Sequence, residues 1–294
     1  LLAEIDERIA RAGMETPDPR ARTISASVPP DADGVWIPLV EQALADIERG
    51  ALQKIVVACR ASIPEPVSPS ATLARLRARN LRATSFSIRR EDSVFLGATP
   101  ERLIFSDKTH ALTETLAGTI ARRAGADDER AKAELLARDK DLREHGIVVH
   151  GITSALAPFV LGIDRPREPS VRTLERVHHL ATPIVAKLAR ATHVLSLVEA
   201  LHPTPALSGF PKTEAFAWIA AHEPFDRGWY GAPVGWFDDS GEGAFAVAIR
   251  SALVTSARTC LYAGSGVVRG SRPDAELAET RLKLETISDS LVLR

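Results

Sequence analysis

The chain has 294 residues, 45% hydrophobic and 26% charged, enough to bury one large core or two modest ones. Its 37 basic and 38 acidic residues leave a formal net charge of −1, and the basic residues are interleaved with acidic ones, which disfavours nucleic-acid or membrane binding through a charge patch. No apolar run approaches the ~20 residues of a spanning helix and no signal-peptide series opens the chain; Cys59 and Cys260 lack a second Cys or a His at ligand spacing, which suits buried thiols in a reduced, cytoplasmic setting. The first residue is Leu1 rather than methionine, so a fragment or processed form is expected.

In chain order, helical periodicity covers 36–50, and "KIVVACR" (54–60) reads as a strand with Lys54, Val56 and Ala58 on one face. A lysine there can act as a base if burial and nearby cations lower its pKa, or it can simply snorkel at a strand end. A helix over 70–79 and strands over 84–90 and 93–105 follow, the last kinked at Gly-Ala-Thr-Pro immediately before Glu101. "LAGT" (116–119) reads as a stiff loop. Helical patterning then runs over 127–160 and places Asp141, Glu144 and His145 on the face of Val148, Ile152 and Leu156.

A helix is expected over 179–190; on any regular element the adjacent His178 and His179 diverge, so only His179 is a candidate for a site hydrogen bond. "HPTPALSGFPK" (202–212) is a second stiff loop, followed by a helix over 212–221. Three strand-like runs, 228–238, 243–256 and 259–268, are joined by short turns and read as an antiparallel meander. Arg250 ends the small-residue face Ala246, Ala248, Arg250, Ala252, where a guanidinium can take a carboxylate bidentately or form a structural ion pair. "AGSGVV" (263–268) offers backbone N–H groups to an anion, or marks a bulge.

The final helix, 273–293, carries "AELAETRLKLE". At about 100° per residue, Glu276, Glu279 and Lys283 fall within about 60° of one another, beside the apolar stripe of Leu277, Leu284, Ile287 and Leu291, with Arg281 and Glu285 on the wet side. Two helices thus place acids three residues apart next to their core faces. Oxygen ligands converging from two helices suit Mg²⁺; the ordinary alternative is rim decoration or i,i+4 pairing, as between Glu279 and Lys283. Strands and helices without strict βαβ alternation give an α+β class in one domain over 1–294, with a motif-bearing core over 50–294. No nucleophile elbow, dinucleotide fingerprint or P-loop occurs.

Together "KIVVACR", "GATPERLIF", "LAGTIARR", "KDLREH", "VHHLATPI", "LHPTPALSGFPK", "WYGAPVGWFD", "FAVAIRSAL", "YAGSGVVRGS" and "AELAETRLKLE", in family order over about 50–290, resemble the chorismate-utilising enzymes, above all the isochorismate synthases. The resemblance implies a single α+β domain of large antiparallel sheets packed with helices, as in anthranilate synthase component I, around a Mg²⁺ site, and further strands ahead of this core in the usual family member. It implies an isomerase that moves the hydroxyl of chorismate from C4 to C2. Lys54 matches the base that activates water for attack at C2, and Glu101 the acid that protonates the departing C4 hydroxyl. Glu144 and Glu279 match the acids closest to Mg²⁺, Glu276 one held nearby, and Asp141 a more variable position. Tyr230, Arg250, Gly264, Ser265, Gly266 and Lys283 resemble groups that grip substrate carboxylates, and Ala117, Gly118, Thr119, His179 and Ala206 complete the expected substrate contacts.

Within the family, Leu116-Ala117-Gly118-Thr119 lacks the lysine of the aminodeoxychorismate route. Ala206 stands where salicylate synthases tend to carry threonine, which favours stopping at isochorismate; salicylate synthase is the runner-up and anthranilate synthase component I the third choice. The product of such an enzyme serves siderophore or menaquinone biosynthesis. Chorismate is the expected partner, and with no interface signal in the sequence a monomer suffices.

Overall fold

The protein is described by a computed structural model covering Thr23 and residues 34–294; the beginning of the expected 1–294 domain, residues 1–22 and 24–33, lies outside the described residues. The first part runs α1 (Trp36–Glu48), β1 (Lys54–Ile63), α2 (Pro69–Arg79), β2 (Thr84–Arg90), β3 (Ser93–Thr99), β4 (Arg102–Ser106), β5 (His110–Ala121), α3 (Ala126–Ala137) and α4 (Asp139–Leu156). A 3₁₀ turn then leads into β6 (Val160–Asp164), β7 (Ser170–Thr173), β8 (Val177–Leu188), α5 (Val194–Leu201), β9 (Gly209–Phe210) and α6 (Lys212–His222). The chain finishes with β10 (Pro233–Phe237), β11 (Gly243–Val247), β12 (Ser251–Val254), β13 (Thr259–Val268) and α7 (Pro273–Ser288).

Two antiparallel sheets result, β2-β3-β12-β13-β1-β9 and β10-β11-β4-β5-β8-β6, with β7 added against β8. Alternation along β1 explains their roles. Ile55, Val57, Cys59, Ala61 and Ile63 enter a core formed with α1, α2, α6 and α7, whereas Lys54, Val56 and Ala58 take the opposite face. The second core packs β4, β5, β8 and β11 against α4 and α5 through residues such as Ile104, Val148, Ile152, Ile184 and Leu197. Both cysteines are buried and neither forms a disulfide. No helix among the described residues is long and apolar enough to cross a membrane.

The antiparallel α+β class stands, and several element expectations change. The segment expected as a helix over 179–190 is β8: Leu180, Ile184 and Leu188 fit a four-residue period, but they also fit every second residue of a strand, and the strand pairs with both β5 and β6. "LAGT" belongs to β5 rather than to a loop, with a bulge between Ala117 and Thr119 where Gly118 adopts φ +79°. The helix expected over 127–160 breaks at Arg138 into α3 and α4. The expected meander divides between sheets: β10 and β11 lie in the second sheet, and the chain then crosses to the first as β12, turning at Arg250, whose φ of +51° takes it out of strand alternation. The last helix ends at Ser288.

Candidate active site

Four acids come together because two helices begin at the same place. Asp141 lies in the first turn of α4 and Glu276 in that of α7, positions where the helix dipole favours negative charge, and Glu144 and Glu279 follow one turn later. The stripes beneath them are buried, with Val148, Ile152 and Leu156 on α4 and Leu284, Ile287 and Leu291 at zero to 3% exposure, while Leu277, expected in the same stripe, is half-buried. Burial of such side chains, worth about 1.5–3 kcal/mol each, is what can hold the acids out of water. Glu285, expected on the wet side, is instead half-buried and pairs with Arg176 at 3.2 Å.

Lysines occupy the acids. Lys54, 1% exposed, donates to Glu144 Oε1 at 2.9 Å. Lys140 Nζ lies 2.8 Å from Glu276 Oε1, 3.3 Å from Glu144 Oε2 and 3.7 Å from Asp141 Oδ1. Lys283 pairs with Glu279 at 2.5 Å and donates to the Gly264 carbonyl at 3.0 Å. These contacts set the charges. Burial pushes the Glu279 carboxyl up, but Lys283 and Lys140 overcome it and hold the group at about 2. The same contest, with Lys54 and Lys140 against burial, leaves Glu144 lowered. At Glu276 and Asp141 burial prevails and raises both, while Lys140, despite its own burial, is held firmly protonated by the four carboxylates.

Glu276 is further fixed by the hydroxyls of Ser265 and Ser271, the latter donating at 2.7 Å. The donor set is entirely carboxylate oxygen, the chemistry of a hard divalent cation, and the Lys140 ammonium already stands as a cation among these oxygens. The residues therefore fit such an ion, although among the described residues no three His, Cys, Asp or Glu side chains are pre-spaced as a cage.

Beside the cluster are two cavities. The outer one, about 590 Å³, is a groove lined by Thr119, Arg138, Lys140, Asp141, Glu276 and Glu279 among others. The inner one, about 60 Å³, is lined by Glu101, Leu116, His179, Ala206, Tyr230, Arg250, Gly264 and Lys283, with Val56, Leu207 and Tyr262. Two polar pairs connect the linings: Glu279 and Thr119 face the groove, while their partners, Lys283 and His179, face the inner cavity.

The inner cavity holds the unusual proton chemistry. Glu101, placed where the Pro100 kink ends β3, is 8% exposed; burial raises its carboxyl to about 7 even though Lys54, Lys283 and Arg250 pull it down. Among the described residues no carboxylate pairs with the buried Arg250. Burial, aided by Arg250 and Lys283, lowers His179 to about 3, so near neutrality it offers a neutral ring, bonded to Thr119 at 3.0 Å. His178 points elsewhere, to Asp128 at 2.8 Å, as the divergence of adjacent strand residues requires. Tyr230 stacks on Tyr262 with 5.5 Å between centroids.

Of the expected 264–266 backbone contacts, Ser265 turns its side chain to the α7 face of β13, where its hydroxyl holds Glu276. Ala117 packs in the second core, and its carbonyl meets His145 Nδ1 at 3.1 Å while Leu116 takes the cavity wall. Gly118 and Gly266 make room rather than contacts: a Cβ on Gly118 would come within 3.0 Å of Asp141 Cβ, and one on Gly266 within 2.2 Å of Glu144 Oε1. Sequence reasoning missed Lys140, Ser271, Leu116 and Tyr262. Lys140 is adjacent to Asp141 in sequence, but a lysine at a helix start reads as solvated.

The family described as chorismate binding enzyme matches residues 2–292. Over 258 residues the chain is 44% identical to "Salicylate biosynthesis isochorismate synthase" of Pseudomonas aeruginosa, covering 87% of this chain and 54% of that protein. It is 38% identical to isochorismate synthase MenF of Bacillus subtilis, covering 87% and 55%. The chain thus spans about half the length of these curated relatives. Among solved structures, MenF, the menaquinone-specific isochorismate synthase from Escherichia coli, aligns with a TM-score of 0.81 at 32% identity, over 97% of this chain and 68% of that one. Anthranilate synthase component I from Streptococcus pneumoniae shares the fold, with a TM-score of 0.80 at 22% identity, over 98% and 66%.

Proposed function

The chain belongs to the chorismate-binding enzyme family, and from that premise we propose that it carries the active site of an isochorismate synthase, replacing the C4 hydroxyl of chorismate by a hydroxyl from water at C2. The observation that carries the reading is Glu101. A buried carboxyl with a pKa of about 7, beside a guanidinium and an ammonium, keeps its proton near neutral pH in a cavity suited to a carboxylate substrate.

In this reading Arg250 and Lys283 bind substrate carboxylates, the flat face of Tyr230 sets the ring plane, and Glu101 gives its proton to the departing C4 hydroxyl. Lys54 takes the proton from the attacking water. Its contact with Glu144 at 2.9 Å fixes where the nitrogen stands. Asp141, Glu144, Glu276 and Glu279 would hold Mg²⁺. Bound there, Mg²⁺ supplies a positive charge that neutralises and orients a substrate carboxylate. Ligand sites typically measure about 300–1,000 Å³. The inner cavity alone is smaller, so chorismate engages the outer groove as well and the Glu279–Lys283 and Thr119–His179 pairs must part.

The alternative, a salicylate synthase that goes on to eliminate pyruvate, is disfavoured by Ala206 in the inner wall, which brings no hydroxyl to the substrate. We infer a cytoplasmic setting from its two buried cysteines, neither of them in a disulfide. Incubation with chorismate and Mg²⁺, without ammonia or glutamine, tests the reading. Isochorismate as sole product is expected; salicylate with pyruvate selects the alternative, and no conversion by the protein refutes the assignment.

A further inference from the structure

The carboxylate cluster already contains a cation, and the chain supplies it. We propose that Lys140 is a built-in substitute for the divalent cation: in the metal-free protein its ammonium neutralises the acids, and it must leave them for the metal to enter. The inference rests on the reading of these acids as a metal site.

Three features single out Lys140. Its ammonium lies within 2.8 to 3.7 Å of carboxylates from both helices, Glu276 on α7 and Glu144 and Asp141 on α4, so one charge ties the two walls together. It has somewhere to go. Its side chain is 23% exposed and lines the outer groove of about 590 Å³, whereas Lys54 is 1% exposed within its sheet. It also has no competing anchor among the described residues. Lys283 is tied to the Gly264 carbonyl as well as to Glu279, but every polar contact of Lys140 is to a carboxylate of the cluster. A flexible four-carbon stem ending in a point charge suits such a removable counter-ion.

Removing a competitor and removing a scaffold have opposite consequences. If Lys140 competes with the metal, deleting its charge releases the three carboxylates it contacts and tightens metal binding, because the fraction of protein with an open site rises. If Lys140 merely props the acids in position, deleting it loosens the site and weakens binding.

The experiment is calorimetric titration of Mg²⁺ into the wild-type protein and Lys140→Met, each stripped with chelator, with thermal melts in chelator and in saturating Mg²⁺. We expect Lys140→Met to bind Mg²⁺ at least ~10-fold more tightly and to melt lower than wild type in chelator, with the gap closing in Mg²⁺. Wild-type binding with equal or weaker binding by the variant overturns the role of Lys140 and leaves the metal reading intact; no Mg²⁺ binding by either protein overturns both. Should Lys140→Met not fold without metal, acetylation footprinting of the wild type decides. Lys140 labelling should rise several-fold on adding Mg²⁺ while Lys132, outside the cluster, stays constant, and unchanged Lys140 labelling contradicts the proposal.

Discussion

Glu101 and Lys54 are the residues on which the proposed chemistry turns. With the Glu101 carboxyl raised to about 7, its protonated form is present below that pH and lost above it. The log of kcat/KM should therefore fall with a slope approaching −1 as pH rises through about 7, a limb visible in a pH–rate profile. Glu101→Gln should cost about 10²–10⁴ in kcat and abolish that limb. The sign is opposite to that of a salt-bridged acid. A raised folded-state pKa contributes stability that is present below the ordinary glutamate range and disappears as pH rises through about 7, so Glu101→Gln should also flatten the melting temperature over that window. Lys54→Ala should abolish conversion while calorimetry still shows Mg²⁺ binding; retained turnover would remove Lys54 from the base role. The acids were legible in the sequence because helical geometry alone sets Glu276 beside Glu279 and Asp141 beside Glu144. Lys140 and the hydroxyls of Ser265 and Ser271 were not, since their significance exists only once α4 and α7 meet.

At the scale of elements, the site depends on close approach between β13, β5 and the two acid-bearing helices. Gly266 illustrates the tolerance: a methyl there would strike the Glu144 carboxylate and come within 2.9 Å of Lys54 Cε. Gly266→Ala should therefore force the Lys54–Glu144 pair apart and cut kcat at least tenfold while lowering the melting temperature, the loss of stability being of the order of the 1–3 kcal/mol that overpacking costs. Gly118→Ala combines a positive φ with contact against Asp141 and should destabilise by a similar amount, about 1–3 kcal/mol. Sequence periodicity located most helices and strands, and its errors have physical causes. β8 is buried on both faces over its first half, so it lacks the alternation that marks a half-buried strand, and its Leu-Ile-Leu spacing imitates a helix. The run over 243–256 looks continuous because only the backbone angle at Arg250, invisible in composition, diverts it into a second sheet.

At the scale of the molecule, two antiparallel sheets with their helices define the chorismate-binding fold, and in the proposed reading the outer groove and the inner cavity, once the pairs between them part, form a single route for an anionic substrate lined by acids, lysines and Arg250. The order of motifs made the fold legible from the sequence; the division into two cavities depends on side-chain pairs that no linear pattern reports. The claim that this route serves attack of water at C2 is tested most directly by running the reaction on chorismate in ¹⁸O-labelled water with Mg²⁺ and locating the label by mass spectrometry and NMR. The account predicts isochorismate carrying one labelled oxygen, at C2, and no pyruvate. Isochorismate formed without label, or turnover yielding only salicylate and pyruvate, would contradict it.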